Sequence, residues 1–470
     1  MMPRSHPMPG LASAVSSSDP GVLGLIGNTP LVEISRLDVG RCRLFVKLES
    51  QNPGGSIKDR IALSMIATAE QDRRLSPGGT VVEATAGNTG LGLALVARAK
   101  GYRVLLVIPD KMSTEKVLHL KALGAEIRMT RSDVNKGHPA YYQDMAAALA
   151  AEIPGAFYVN QFGNPANPLA HELATGPEIW EQMQHDVDAV VCGVGSGGTL
   201  TGLSRFFART SPATEIVLAD PLGSVLAGYV ATGTIGAAGS WVVEGIGEDF
   251  LPPIVDLSAV RKAYSIPDPE SLATARELLR SELILGGSSA GTLVAAALRY
   301  CREQSAGKRV VTLIPDTGSK YLSKMYNDAW MVDQGFIALP HYGDLRDLVT
   351  RRYEAGAIVS VSADDTLLTA FQRMRMADVS QVPVLESDQV VGIVDESDVL
   401  LHVHKQPGRF HDKVATAMTQ RLETLAPDAS LAALLAILNR DRVAIIVEDG
   451  RFFGLVTRYD LLSYLRRSLP

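Results

Sequence analysis

From about Gly21 to Asp328, short apolar runs alternate with segments whose apolar residues recur at helical spacing. TVVEAT (Thr80–Thr85) reads as a strand, LGLALVARAK as a helix stopped by Gly101, and YRVLLVIP as the next strand. The helix TEKVLHLKAL, a stop at Gly124 and the strand AEIRMT follow. The rhythm returns with DAVVCGV, a helix after a glycine loop, and EIVLADP. Strands separated by helices pair in parallel, and a parallel sheet needs both faces covered. Two such sections predict an α/β chain with two doubly wound lobes and a cleft between them, the usual place for a ligand.

The rhythm stops near Trp330, and residues 331–351 read as a linker. Two similar halves follow, over 352–410 and 411–470. Each carries a polar turn, a helix, a strand, a hairpin, a second strand and a closing helix. Such an internal repeat predicts a duplicated α+β unit. Its order, and GIVDESD set against GLVTRYD, resembles a tandem pair of CBS domains, the Bateman module.

Composition narrows the partners. A length of 470 residues allows about two or three domains. The charged share of 20% and net charge of -6 provide no basic footprint, so neither nucleic acid nor an anionic membrane is an expected partner. Small molecules and further copies of the chain are expected instead. Cys42, Cys192 and Cys301 lie far apart without C-x-x-C spacing, which argues against a disulfide framework or a metal site and fits a reducing compartment. Residues 1–20 contain no continuous apolar run and are expected to be a disordered tail, neither signal nor anchor. The expected location is the cytoplasm.

The chemistry is concentrated in four loops. In NPGGSIKDR (Asn52–Arg60), Ser56 and Asp59 have capping-box spacing, and Ile57, Ile61 and Met65 continue at helical intervals. Lys58 then falls in the first helical turn, where free N–H groups disfavour an ammonium; its lowered proton affinity would make it a nucleophile. GVGSGGT (Gly193–Thr199) follows an apolar strand and opens a helix, so its amides can converge on a phosphate. ATAGNTG (Ala84–Gly90) presents the Asn88 amide, and LGGSSAGT (Leu285–Thr292) presents Ser288 and Ser289. Gly193, Gly195 and Gly198 also satisfy G-x-G-x-x-G, with Asp220 near the spacing of a ribose-binding acid, so a nicotinamide dehydrogenase is a second reading. That reading leaves Lys58 and both serines unexplained. A lysine for a Schiff base, an amide for a phenolic oxygen, a phosphate cradle and a hydroxyl for a ring nitrogen together describe a pyridoxal-phosphate site.

IGNTPLV, NPGGSIKDR, TAGNTG, GVGSGGTLTG and GGSSAG occur in the order seen in fold-type-II pyridoxal-phosphate enzymes of β-replacement, which residues 21–330 resemble. The resemblance implies a tryptophan synthase β-like fold, with Lys58 linked to pyridoxal 5'-phosphate and Asn88 on its phenolic oxygen. Gly195, Ser196, Gly197, Gly198 and Thr199 would hold its phosphate, and Ser289, with Ser288 as the alternative, its pyridine nitrogen. Thr85, Ala86, Gly87, Thr89, Gln161 and Gly245 are the implied substrate contacts. QFGNPANPLAHELATGPEIW looks like O-acetylserine sulfhydrylases, while ADPLGS, VEGIGEDFLP and IPDTGSKYLSKMYNDAWM look like cystathionine β-synthases. The latter likeness implies condensation of serine with homocysteine, hydrogen sulfide release from cysteine plus homocysteine, and a homodimer or homotetramer. Glu248 stands where animal cystathionine β-synthases carry tyrosine, and no heme is expected. In the second repeat Thr457 and Asp460 resemble the hydroxyl and carboxylate that hold an adenosyl ribose, so S-adenosylmethionine is the implied ligand. Asp395 at the matching position of the first repeat disfavours a phosphate there.

Overall fold

In the first unit of the chain, which runs to Leu322, the strands are β1 (Leu31–Glu33), β2 (Arg43–Lys47), β3 (Thr80–Ala84), β4 (Arg103–Pro109), β5 (Glu126–Thr130), β6 (Ala156–Tyr158), β7 (Ala189–Cys192), β8 (Glu215–Pro221), β9 (Val260–Ile266) and β10 (Arg309–Leu313). The structure, a computed structural model, describes residues 21–85, 87–110, 114–134, 137–354 and 356–467. The expected tail over 1–20 and the expected substrate contact Ala86 lie outside them. One sheet has the order β1-β2-β10-β7-β8-β9 and the other β5-β4-β3-β6. All pairings are parallel except β1 with β2. Both faces of the smaller sheet are covered: Val81 joins one apolar cluster with Leu93 and Leu106, while Val82 joins another with Val107 and Ala146. That is why its strands read as continuous apolar runs rather than alternating ones. The expected strands and helices are all present. The helix placed at Leu91 begins at Asn88.

The chain passes from the larger sheet to the smaller through the helix Lys58–Gln71, which follows β2. The expected Ser56/Asp59 capping box does not form. Ser56 Oγ accepts from the Lys58 amide at 3.2 Å, but Asp59 reaches back past it to the Gly54 amide at 2.5 Å. The two adjacent glycines let the chain turn close enough for that bond. A methyl group on Gly54 would collide with the Asp59 carboxylate. The Ile57 amide donates to Pro315 O, and bridges Ser56–Asp316 and Gly286–Thr317 fasten three loop segments together.

A buried charge cluster holds this helix start. Arg60 donates to Glu49 at 2.6 and 2.8 Å and to both oxygens of Glu178 at 2.7 Å. Lys47 donates to Glu178 at 2.7 Å, to Thr29 O at 2.6 Å and to Gln182 at 2.9 Å. Arg60, Glu49 and Lys47 are buried. Two cations face two anions, so the cluster is neutral although three of its members are buried and Glu178 is half-buried.

The second unit begins at Ser323. Its first repeat holds the helix Leu367–Ala377, the hairpin of β11 (Gln381–Glu386) and β12 (Gln389–Asp395), and the helix Glu396–Val403. Its second holds β13 (Thr424–Leu425), the helix Leu431–Leu438, the hairpin of β14 (Ala444–Glu448) and β15 (Arg451–Val456), and the helix Arg458–Arg467. Part of the segment read as linker is core: Leu345, Leu348 and Val349 are buried against Leu434, Ile446 and Phe453. The stretch 331–351 lacks the strand–helix rhythm of the preceding chain, and that irregularity hid its apolar residues' role in a core.

Arg60→Met should strand Glu49, leave Glu178 with Lys47 alone, and cost about 3–5 kcal/mol of stability, read from urea unfolding. Burial alone would raise the Glu178 pKa, but Arg60 and Lys47 hold it down at about 2. Its contribution is therefore complete above pH ~4.3, the unfolded value, and lost as pH falls toward 2. Glu178→Gln should flatten that acid limb of the unfolding midpoint.

Candidate active site

Lys58 opens its helix at the edge of a small cavity, lined also by Gly195–Thr199, Gly245 and Leu313. Its side chain keeps some exposed surface toward the cavity, yet dense protein on the other sides removes bulk water. Its Nζ makes no hydrogen bond to the described residues. Burial lowers its proton affinity, and Asp316 and Glu248 partly restore it. Lost hydration, more than the helix start invoked from sequence, is the cause.

The glycine loop between β7 and the helix Gly198–Thr210 faces this amine. Gly197, at φ +94°, takes a left-handed turn that aims the following amides outward. The first amides of a helix have no intrahelical acceptor, so those of Gly198 and Thr199 are open to an anion. The approach is tight: a Cβ on Gly195 would stand 2.6 Å from Gly245 O, and one on Gly198 would overlap Asn167. Asn167 Nδ2 donates to Ser196 Oγ at 2.9 Å, and Thr199 Oγ1 meets His171 Nε2 at 3.2 Å. Burial, with the nearby cations Arg60 and Lys58, keeps His171 neutral. Sequence reading missed Asn167 and His171. Both sit in the segment Gln161–Trp180, which carried a family likeness without a stated chemical role.

Asn88 and Gly87 line a second cavity of about 390 Å³ with Gly54, Lys116, Glu244, Gly245, Lys320 and Tyr321, so Gly245 belongs to both. Thr89 Oγ1 donates to Gln161 Oε1 at 2.7 Å, and Thr85 Oγ1 accepts from the Gly87 amide at 3.3 Å. These contacts brace the loop expected to receive a substrate. The doubled serine resolves into two environments. Ser288 Oγ accepts from the Glu244 amide at 2.9 Å, whereas the Ser289 hydroxyl makes no hydrogen bond to the described residues. Glu248 is half-buried; burial, then Asp249 and Asp220, push its carboxyl up to about 8, against the pull of Lys58. Asp220 is no ribose ligand here. It is fully buried and accepts from the Ala227 amide at 2.8 Å, capping a helix.

Comparison with known proteins accounts for this geometry. Residues 22–316 match the family model for pyridoxal-phosphate dependent enzymes, and residues 345–405 and 414–467 match that for CBS domains. The chain is 36% identical to the cystathionine beta-synthase of Dictyostelium discoideum, over 95% of this chain and 92% of the relative. Against the Saccharomyces cerevisiae enzyme of that name it is 33% identical, over 94% and 97%. The chain belongs to the cystathionine beta-synthase family of pyridoxal-phosphate dependent enzymes. Among solved structures, a hydrogen sulfide-producing enzyme from Fusobacterium nucleatum is 35% identical with a TM-score of 0.60, covering 65% of this chain and all of that one. An O-ureido-L-serine synthase is 33% identical with a TM-score of 0.61, covering 67% of this chain and all of that one.

Membership implies pyridoxal phosphate, and the residues fit it. Lys58 offers an amine without a hydrogen bond to the described residues, and it shares its cavity with a loop whose Gly195, Gly197 and Gly198 have no room for a Cβ beside their neighbours. The dehydrogenase reading is set aside with Asp220.

In the second unit Thr457 and Asp460 line a cavity of about 620 Å³ with Thr350, Ile358, Val359 and Pro383. Asp460 Oδ2 accepts from the Thr457 amide at 2.8 Å and its hydroxyl at 2.6 Å, while Oδ1 accepts from Thr350 at 2.9 Å. Only Oδ1 keeps room for another donor. Asp395 instead caps the helix Glu396–Val403 in a reciprocal box with Asp398. Among the described residues no helix is long and apolar enough to cross a membrane, and no side-chain cluster could hold a metal ion.

Gly198→Ala should push into Asn167 and weaken pyridoxal phosphate binding about 10- to 100-fold, the equivalent of 1–3 kcal/mol of overpacking. Titration of the cofactor-free protein, followed by absorbance, measures it.

Proposed function

We propose that the protein condenses L-serine with L-homocysteine to give L-cystathionine and water, by β-replacement within the first unit. The carrying observation is co-linearity with cystathionine beta-synthases from end to end, 36% identity over 92% of the Dictyostelium relative included, rather than over the catalytic unit alone. Bound pyridoxal phosphate supplies an electron sink that acidifies the substrate α-carbon. Lys58 Nζ takes the proton from that carbon and returns one to the departing β-oxygen; positioned acid–base groups of this kind contribute about 10²–10⁴-fold. Its depressed proton affinity suits both steps: the amine is neutral for the first, and the ammonium it becomes gives its proton up readily in the second.

Asn88 serves the cofactor's phenolic oxygen, Gly195–Thr199 its phosphate, and Ser289 its ring nitrogen. A neutral hydroxyl shares a hydrogen bond without delivering a full proton to that nitrogen, which favours elimination over a long-lived carbanion. Thr85, Gly87, Thr89, Gln161 and Gly245 form the substrate loop and its support. The catalytic domain spans 21–330, the chain acts as a homo-oligomer in the cytoplasm, and cysteine plus homocysteine would release hydrogen sulfide by the same route. The Thr457/Asp460 cavity would take an adenosyl ligand. A second reading, cysteine synthase, draws on the segment Gln161–Trp180.

Purified enzyme given serine plus homocysteine should form cystathionine faster than it forms cysteine from O-acetylserine plus sulfide. The reverse ranking would move the chain to the second reading. Lys58→Ala should lower turnover by at least about 10²-fold with the fold intact by circular dichroism. Calorimetry with S-adenosylmethionine, AMP and ATP should give heat for one of them, and Asp460→Ala should abolish it.

A further inference from the structure

The Asn88 amide is gripped at both ends by groups of opposite charge. Its Oδ1 accepts from Lys320 Nζ at 2.7 Å, and its Nδ2 donates to Asp316 Oδ2 at 2.8 Å. Both partners come from the segment after β10, and Lys320, in its short 3-10 helix Gly318–Tyr321, lines the cavity with Asn88. An amide turned by 180° would set N–H groups against an ammonium and a carbonyl oxygen against a carboxylate. Only one orientation is compatible with this pair, and bonds to charged groups are the strong ones.

The grip is itself anchored. Tyr321 OH donates to Asp316 Oδ2 at 2.8 Å, and Lys320 also reaches the carbonyls of Gly54 and Gly55 at 3.2 and 3.4 Å. Asp316 is buried close against Gly287, where a Cβ would overlap its other oxygen. Lys320 thus joins the glycine turn ahead of Lys58 to the loop of Asn88. The amide has two N–H groups, and Asp316 uses one.

We propose that Asp316 and Lys320 are positioning residues, locking the Asn88 amide so that its second N–H is held for the cofactor's phenolic oxygen. This rests on the reading of Asn88 given above. The pair acts through Asn88. Without Lys320 the amide can present its oxygen instead, which repels a phenolate.

Cofactor-free wild type, Asn88→Ala, Lys320→Met and Lys320→Arg are titrated with pyridoxal phosphate. The readouts are Kd, the pH midpoint of the visible absorbance, and thermal melting to monitor the fold. Asn88→Ala and Lys320→Met should each bind about tenfold more weakly, as expected for one bond to a charged group. Their midpoints should move in the same direction, and Lys320→Arg should restore both. A Lys320→Met protein with wild-type Kd and midpoint, beside an Asn88→Ala protein that has lost them, overturns the lock. Wild-type behaviour of Asn88→Ala itself would remove the assignment of Asn88 and the lock with it. Should Lys320→Met fail to fold, Asp316→Ala removes the acceptor at the other end of the amide and must show the same two changes.

Discussion

Arg60, shared between Glu49 and Glu178, is the interaction on which the catalytic unit turns. It lies two residues beyond Lys58, and its partners come from the segment after β2 and from the helix Gly176–Gln182. Lys47 closes the cluster from β2 and adds the turn at Thr29. Three buried charges and a half-buried fourth would be ruinous singly. Matched two against two, with Thr29 and Gln182 filling remaining sites, they hold one arrangement strongly because every partial one strands a charge. The start of the helix Lys58–Gln71 is thereby located relative to both sheets.

From that location follows the state of Lys58. The cluster secures the helix while the Lys58 side chain faces a cavity where its amine finds no hydrogen-bond partner among the described residues. Lost hydration drives its proton affinity down, and two carboxyl groups moderate the effect. The glycine loop opposite can come close only because Gly195 and Gly198 lack a Cβ. An amine with low proton affinity and an anion cradle share one small space. That pairing is what an aldehyde bearing a phosphate requires.

The order of strands and helices was legible in the chain because fully buried parallel strands leave unbroken apolar runs, as in Val104–Ile108. The loops were legible in combination: any one could be an ordinary helix cap, but a lysine, an amide, a glycine cradle and a serine pair together describe one cofactor site. Less visible was what the polar side chains do. Ser56 and Asp59 have the spacing of a capping box, but a glycine turn brought the Gly54 amide within reach and Asp59 went there instead. Asp220 has the spacing of a ribose ligand and caps a helix. Leu345, Leu348 and Val349 sit in a stretch read as linker and pack into the core of the second repeat. In each case a local pattern met a competitor supplied by another part of the chain.

Periodicity and glycine placement, which are local, determined the two-lobed α/β class, the duplicated C-terminal unit and the identity of Lys58 as the amine of interest. Only the tertiary structure decided which hydroxyl of the Ser288–Ser289 pair is spent, since the Glu244 amide that occupies Ser288 lies 44 residues away in sequence. Only it showed Asn88 held between Asp316 and Lys320, more than two hundred residues away. Hydrogen bonds and desolvation depend on distances of a few ångströms, and sequence spacing carries no record of which distant residues come that close.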